Sequence, residues 1–193
     1  DFPLAQVVTN INLQHKNFLK KKTLNEIIRQ DVGFLNNFTK SDQLKIDPLR
    51  YESLTLNNRQ LCDIELILNG AFYPLNGFLN QADYDSVLKD MRLKNGSLWP
   101  IPITLDVSSD FIKKIKNMDK ITLRDKEGFV LAVLCISDIW KPDLSLESKL
   151  IYSTIDEAHP GVNYLINHSK DYYIGGELIE LSLPKHYDFQ KYR

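Results

Sequence analysis

The spacing of apolar and polar residues along the chain predicts helices first and strands later. Across residues 56–68 apolar side chains recur every three or four positions, which is typical of an amphipathic helix that ends at Asn69-Gly70. A turn-rich stretch follows over residues 70–78. A second helix is then expected through residues 83–91.

The second half of the chain has the period-two pattern of strands. Residues 119–124 and 129–136 flank a Gly-containing turn and predict a β-hairpin. Further elements predicted here are a strand over 101–107, strand pieces over 172–183, a short helix over 111–116 and a helix over 143–152. The fold class is therefore α+β, with a small, mainly antiparallel sheet, partly closed into a barrel, and flanking helices.

Residues 1–50 differ in character from residues 51–193 and are interpreted as a leader or linker segment. They are rich in Lys and Asn and have few long apolar runs. Thr23 and Glu26 have the spacing of a capping box, which predicts a helix over residues 24–38. Residues 51–193 are expected to form the globular domain.

Charge argues against a dedicated nucleic-acid binder. The whole chain has a net charge of −1, but residues 1–50 hold eight Lys/Arg against five Asp/Glu, which leaves sixteen against twenty for residues 51–193. A protein that neutralises phosphates usually has a basic face, whereas the expected domain is mildly acidic. The run 20–22, three lysines, is interpreted as solvated surface.

The cysteines and histidines match no metal-binding pattern. Cys62 and Cys135 lie in apolar runs and are expected to be buried free thiols, since neither has the spacing of a zinc ligand. The four histidines (His15, His159, His168 and His186) are equally scattered. No run of about eighteen apolar residues and no leading signal sequence is present, so the cytoplasm is the expected compartment.

Familiar catalytic motifs are missing from the sequence. It has no G-x-S-x-G elbow, no G-x-x-x-x-G-K-[ST] loop and no G-x-G-x-x-G fingerprint, so no nucleotide site and no cofactor are predicted for this domain. His159 precedes Pro160-Gly161, and a structural hydrogen-bonding role is favoured for it over a catalytic one.

Two surfaces are candidates for contact with a partner. The polar face of the first helix carries Arg59, Gln60, Asp63 and Glu65, and it is either a partner surface or a solvated face with an Arg59–Asp63 ion pair. The turn over residues 72–78 is either a packed corner or a docking surface, because it combines two Phe, a Pro and a Gly in few residues.

The motifs around these candidates resemble those of ATP sulfurylases (sulfate adenylyltransferases). The resemblance begins with RQLCDIEL at 59–66 and NGAFYPLNGF at 69–78. It continues through LWPIPITLDV at 98–107 and DEAHPGV at 156–162, and ends with LPKHYDF at 183–189. The similar region is residues 53–193.

The resemblance implies a PUA-like domain from the amino-terminal part of an enzyme that makes adenosine 5′-phosphosulfate and pyrophosphate from ATP and sulfate. The family's catalytic α/β domain carries a Gln-x-Arg-Asn-x-x-His-x-x-His stretch, which does not occur here. No catalytic residue can be transferred, and the isolated domain is expected to be inactive, although the implied full enzyme is a nucleotidyltransferase.

The resemblance also implies partners for this domain. They are the catalytic domain of the same polypeptide and, as further expectations, an adenylylsulfate kinase module and other copies of the chain. The candidate interdomain or structural residues are Arg59, Gln60, Asp63, Glu65, Asn69, Gly70, Phe72, Pro74, Gly77, Phe78, His159, Pro160 and Gly161. The alternative is a stand-alone PUA-like module that binds nucleic acid or a protein, since fold alone does not fix function.

Overall fold

The computed structural model describes residues 46–184. The helix predicted over 24–38, the lysine run, His15 and His186 lie outside the described residues.

Side-chain caps set the starts of the helices. Helix α1 (Asn58–Leu68) begins two residues later than predicted because Asn57 and Gln60 form a reciprocal capping box. Helices α2 (Gln81–Asp90), α3 (Ser109–Lys114) and α4 (Leu144–Tyr152) follow caps from Asn80, Ser108 and Asp143. Helix α5 (Pro160–His168) was not predicted; its first residue is the proline that the sequence placed in a turn.

The described strands form one mixed sheet. They are β1 (Ser53–Thr55), β2 (Gly77–Phe78), β3 (Leu105–Val107), β4 (Lys120–Arg124), β5 (Val130–Trp140) and β6 (Tyr172–Glu180). The order is β1-β4-β5-β6-β2, and β3 pairs with β6. Only the β1–β4 pair is parallel among these strands, so the α+β class with a mainly antiparallel sheet is confirmed.

The sheet is open rather than barrel-like. Strand β5 pairs with one edge of β6. On the other edge of β6, β3 pairs with residues 172–174 and β2 pairs with residues 176–177. No pairing among the described strands returns from that edge to β1, so the expected partial closure is not seen.

The predicted hairpin is confirmed, while two strand boundaries differ. Strand β5 extends beyond residue 136 to Trp140 across a register shift between Ile136 and Asp138. In contrast, the strand predicted from residue 101 begins only at Leu105, since Pro100 and Pro102 cannot donate ladder hydrogen bonds.

Two clusters of buried side chains form the core of the described region. The larger one packs α1 and α3 against the sheet through Ile64, Phe111 and Ile174. The smaller one packs α2 against the β5–β6 end of the sheet through Tyr84, Trp140 and Tyr173. Phe72 and Ile103 contact both clusters.

Candidate functional site

The polar face of α1 is turned inward onto strand β3. The guanidinium of Arg59 donates from Nη1 to Asp63 Oδ2 at 2.7 Å and from Nη2 to Asp106 Oδ1 at 2.6 Å. Gln60 is fully buried and donates to the same carboxylate oxygen and to the Asp106 carbonyl, both at 2.9 Å. The predicted Arg59–Asp63 ion pair is present, but it lies in a half-buried network rather than on a solvated face.

Asp106 is the centre of this network. It is 2% exposed, and its second oxygen accepts a hydrogen bond from the backbone N–H of Lys170 at 3.1 Å. One carboxylate thereby joins α1, β3 and the segment that leads into β6. Such a buried carboxylate is tolerated because each oxygen has a donor.

The pKa values of Arg59 and Asp63 are set by burial and by the charges around the shared guanidinium. Burial alone lowers the pKa of Arg59, but Asp63 and Asp106 together raise it above its ordinary value. Burial raises the pKa of Asp63, and repulsion from Asp106 adds to this shift, while Arg59 opposes it. The network is therefore anionic when fully ionised, and Arg59 has little charge left to attract a further anion.

Other candidates on α1 face outward or end the helix. Glu65 is partly exposed, and its carbonyl accepts from the N–H of Asn69, the C-cap residue. Gly70 has a φ of 80°, the left-handed conformation expected after a helix. Cys62 is exposed on this helix, and Cys135 is only partly buried, so the expectation that both thiols are buried is wrong.

Two of the three aromatic side chains in the 72–78 turn, Phe72 and Phe78, pack against the rest of the domain. Phe78 is 3% exposed and belongs to the larger cluster, and Phe72 stacks edge-on against Trp99 at a centroid distance of 5.6 Å. Tyr73, by contrast, is 59% exposed and precedes Pro74. The turn is thus a packed corner with one large outward-facing aromatic ring.

Gly77 allows the corner to sit against strand β6. A Cβ atom at this position would collide with the backbone carbonyl of Gly176 on the paired strand. Any side chain at residue 77 would force the two strands apart, so Gly77 is required for packing.

His159 caps helix α5, as its predicted structural role requires. Its Nδ1 accepts from the backbone N–H groups of Gly161 at 3.2 Å and Val162 at 3.4 Å. The His159 ring also lies 4.9 Å from that of Tyr152. A Cβ at Gly161 would come within 2.7 Å of the Tyr152 ring, so the glycine lets α5 pack closely against α4.

Helix α4 carries a buried carboxyl group that was not predicted from the sequence. Glu147 is 3% exposed, and its Oε2 accepts hydrogen bonds from Tyr84 at 2.8 Å and Tyr173 at 3.0 Å. Burial raises the pKa of Glu147, although the two hydroxyl donors and the more distant Arg59 oppose the shift. A glutamate among apolar positions of a helix was the only local signal, because its partners are 63 and 26 residues away.

Glu147 and Arg59 line the same cleft, which has a volume of about 290 Å³. Its polar lining also includes Asp63, Thr104 and Ser169. Its remaining walls are aromatic and aliphatic and include Ile101, Ile103, Tyr152, Tyr164, Leu165 and Tyr173. A second cleft of about 370 Å³ lies beside β2 and β6 and is lined by Asn76, Cys135, Ser137 and Glu177.

The described residues contain no group of three or more His, Cys, Asp or Glu side chains placed to hold a metal ion. Within residues 46–184, no helix is long and apolar enough to cross a membrane.

The chain is similar to known proteins over most of its length. Residues 33–183 match a family model described as a PUA-like domain, and the chain belongs to that family. It is homologous to sulfate adenylyltransferases: it is 44% identical to the Saccharomyces cerevisiae protein over 164 residues, 81% of this chain and 32% of that protein. The Candida albicans sulfate adenylyltransferase is 51% identical over 146 residues, 71% of this chain and 28% of that protein.

A solved structure shares the fold. The hexameric APS kinase from Thiobacillus denitrificans superposes with a TM-score of 0.59 at 30% identity, covering 80% of this chain and 26% of that one. The chain therefore spans about a third or less of the length of these relatives.

Proposed function

We propose that this chain is the non-catalytic amino-terminal domain of a sulfate adenylyltransferase, the enzyme that joins ATP and sulfate into adenosine 5′-phosphosulfate with release of pyrophosphate. The observation that carries the proposal is the identity of 44% to the yeast enzyme across most of this chain but only 32% of that enzyme. The chemistry then belongs to the remaining two thirds of the polypeptide.

The charges of the described domain support a non-catalytic role. ATP and sulfate are anions, and a site for them needs cationic side chains or free backbone N–H groups. In the cleft beside Arg59, two carboxylates within 2.7 Å already bind the guanidinium. Residues 51–193 also carry more acidic than basic side chains. ATP and sulfate are accordingly substrates of the whole enzyme, and no cofactor is assigned to this domain.

The domain's role is to support and dock the catalytic domain. The 72–78 corner and the His159–Gly161 turn are the proposed contact elements. The contacts within this domain indicate which of their side chains are available to the catalytic domain. Phe72 and Phe78 already pack internally, so Tyr73 presents the corner's apolar surface. At the other turn, His159 and Pro160 are exposed while the His159 ring nitrogen caps α5.

A chimaeric enzyme tests this function. The matching third of the yeast sulfate adenylyltransferase is replaced by this chain, and sulfate-dependent release of pyrophosphate from ATP is measured for the chimaera and for the isolated chain. We expect activity from the chimaera and none from the isolated chain. Turnover by the isolated chain would overturn the non-catalytic role, and a folded but inactive chimaera would overturn the assignment to this enzyme.

Tyr73→Ser in the chimaera tests the docking surface. The matched control is Leu49→Ser, since Leu49 is 78% exposed and lies in a turn that is hydrogen-bonded to β4, away from the β2 edge. We expect Tyr73→Ser to lower the unfolding temperature and activity of the chimaera while leaving the isolated chain's stability unchanged. If both substitutions have equally small effects, the 72–78 corner is not part of the interface with the catalytic domain.

Two further partners and a compartment complete the proposal. The structural neighbour is named a hexameric APS kinase, which supports an adenylylsulfate kinase module in the same polypeptide and assembly into homo-oligomers. We also propose a cytoplasmic location. Light scattering of the full polypeptide, together with a kinase assay on adenosine 5′-phosphosulfate, would test the first two: a monomer without kinase activity contradicts both.

A further inference from the structure

The cleft at Glu147 has the features of a binding site that the proposed function does not use. Oε2 of Glu147 accepts both tyrosine hydroxyls, whereas Oε1 has no hydrogen-bond partner among residues 46–184. The side chain is nevertheless almost wholly buried and lines the cleft. A carboxylate retains acceptor capacity on each oxygen, so Oε1 can receive a donor that enters the cleft.

The charges around the cleft favour a cation. Arg59 is the cationic side chain among its described lining residues, and its charge is matched by Asp63 and Asp106. With Glu147 ionised, three carboxylates stand against one guanidinium. An anion such as sulfate would meet this excess of negative charge at short range, and a positively charged group would be attracted by it.

The walls favour a cation with an apolar body. The rings of Tyr152, Tyr164 and Tyr173 border the cleft together with Ile101 and Leu165. Tyrosine rings attract cations over their faces and provide apolar contact area to the rest of a ligand. The volume of about 290 Å³ is close to the smallest volumes of small-molecule sites.

We propose that this cleft binds a small organic cation, a primary amine carried on an aromatic or aliphatic body, with its ammonium group on Oε1 of Glu147. The apolar body lies against the tyrosine and isoleucine walls. The proposal does not rest on the proposed function.

Calorimetric titration of the 193-residue chain with benzylamine tests the proposal. Benzyl alcohol is the neutral analogue of nearly the same shape, and sulfate is the anionic competitor. Because a hydrogen bond between charged groups is worth more than a neutral one, we expect benzylamine to bind about tenfold more tightly than benzyl alcohol. Equal affinities for the two compounds, or displacement of benzylamine by sulfate, would overturn the proposal without any variant.

Two pairs of variants locate the site. Glu147→Gln should abolish the preference for the amine, while Glu127→Gln, an exposed residue of the β4–β5 turn, should retain it. Ile101→Lys places a positive charge on the lining at a residue that is 51% exposed, so the substitution should block the amine without unfolding the chain. Its control is Leu98→Lys, 66% exposed and outside the described lining. Unchanged benzylamine binding in Ile101→Lys would contradict the site.

Discussion

Replacing Asp106 with Asn tests whether the Arg59 network holds helix α1 on the sheet. In the native chain one carboxylate oxygen accepts from Arg59 and Gln60, and the other accepts from the backbone N–H of Lys170. Asn has a single side-chain oxygen, so either orientation of its amide turns an NH₂ group toward N–H donors. At least one buried donor is left without an acceptor, and Arg59 loses one of its two counter-charges.

The magnitude follows from these losses. An unsatisfied buried N–H costs about 1–3 kcal/mol, and a hydrogen bond to a charged group contributes about 1.5–3 kcal/mol. Asp63 still pairs with Arg59 at 2.7 Å, so the total loss of unfolding free energy should lie toward the lower end of the sum of these two ranges. We expect the free energy of unfolding to fall by about 2–4 kcal/mol, or roughly 5–15 °C in unfolding temperature for a chain of this size.

Urea and thermal unfolding of the isolated chain, followed by circular dichroism, provide the assay. The control is Asp110→Asn, which removes an exposed carboxylate paired with Lys113, and it should leave the unfolding transition unchanged. Arg59→Met combined with Asp106→Asn should cost less than the sum of the two single changes, since both break the same contact. If Asp106→Asn unfolds no more easily than Asp110→Asn, the network does not stabilise this fold.

Four further outcomes follow from the described contacts. Gly77→Ala should destabilise the chain strongly, as judged by urea unfolding, because the new Cβ meets a strand backbone. His159→Ala should lower the free energy of unfolding by about 1 kcal/mol through loss of the α5 cap. His159→Asn should retain most of that stability, because Asn is itself a good N-cap residue. Burial raises the pKa of Glu147, so its stabilising contribution is present below a pH of about 4.3 and is lost as the pH rises through the folded-state pKa; Glu147→Gln should remove that part of the pH dependence of unfolding. Iodoacetamide should modify exposed Cys62 before Cys135, because burial raises the pKa of the Cys135 thiol; mass spectrometry of partly labelled protein would show the order.

Local signals in the sequence were sufficient for the elements that depend on near neighbours. Helix α1 and the β4–β5 hairpin were predicted because the amphipathic spacing and the turn residues lie within each element. Helix α5 was missed because Pro160 and Gly161 were interpreted only as turn residues. Proline at the first position of a helix, after a capping side chain, is the signal that would have found it.

Long-range pairing could not be predicted from such signals. Strand β1 has three residues and pairs in parallel with β4, some seventy positions later in the sequence. Asp106 lies in a strand whose alternation gives no sign that this aspartate is buried, since its donors come from α1 and from residue 170. The burial of Glu147 could not be predicted for the same reason, because its hydrogen-bond partners lie on α2 and β6. The cleft that Glu147 lines is likewise formed only when these distant segments come together in the folded chain.

The coding sequence downstream of Arg193 tests the central proposal most directly. If the chain is the amino-terminal domain of a sulfate adenylyltransferase, the reading frame continues and encodes a Gln-x-Arg-Asn-x-x-His-x-x-His stretch within an α/β domain. A stop codon immediately after Arg193 would contradict the proposal, because the adenylyl-transfer chemistry would then have no place in this polypeptide.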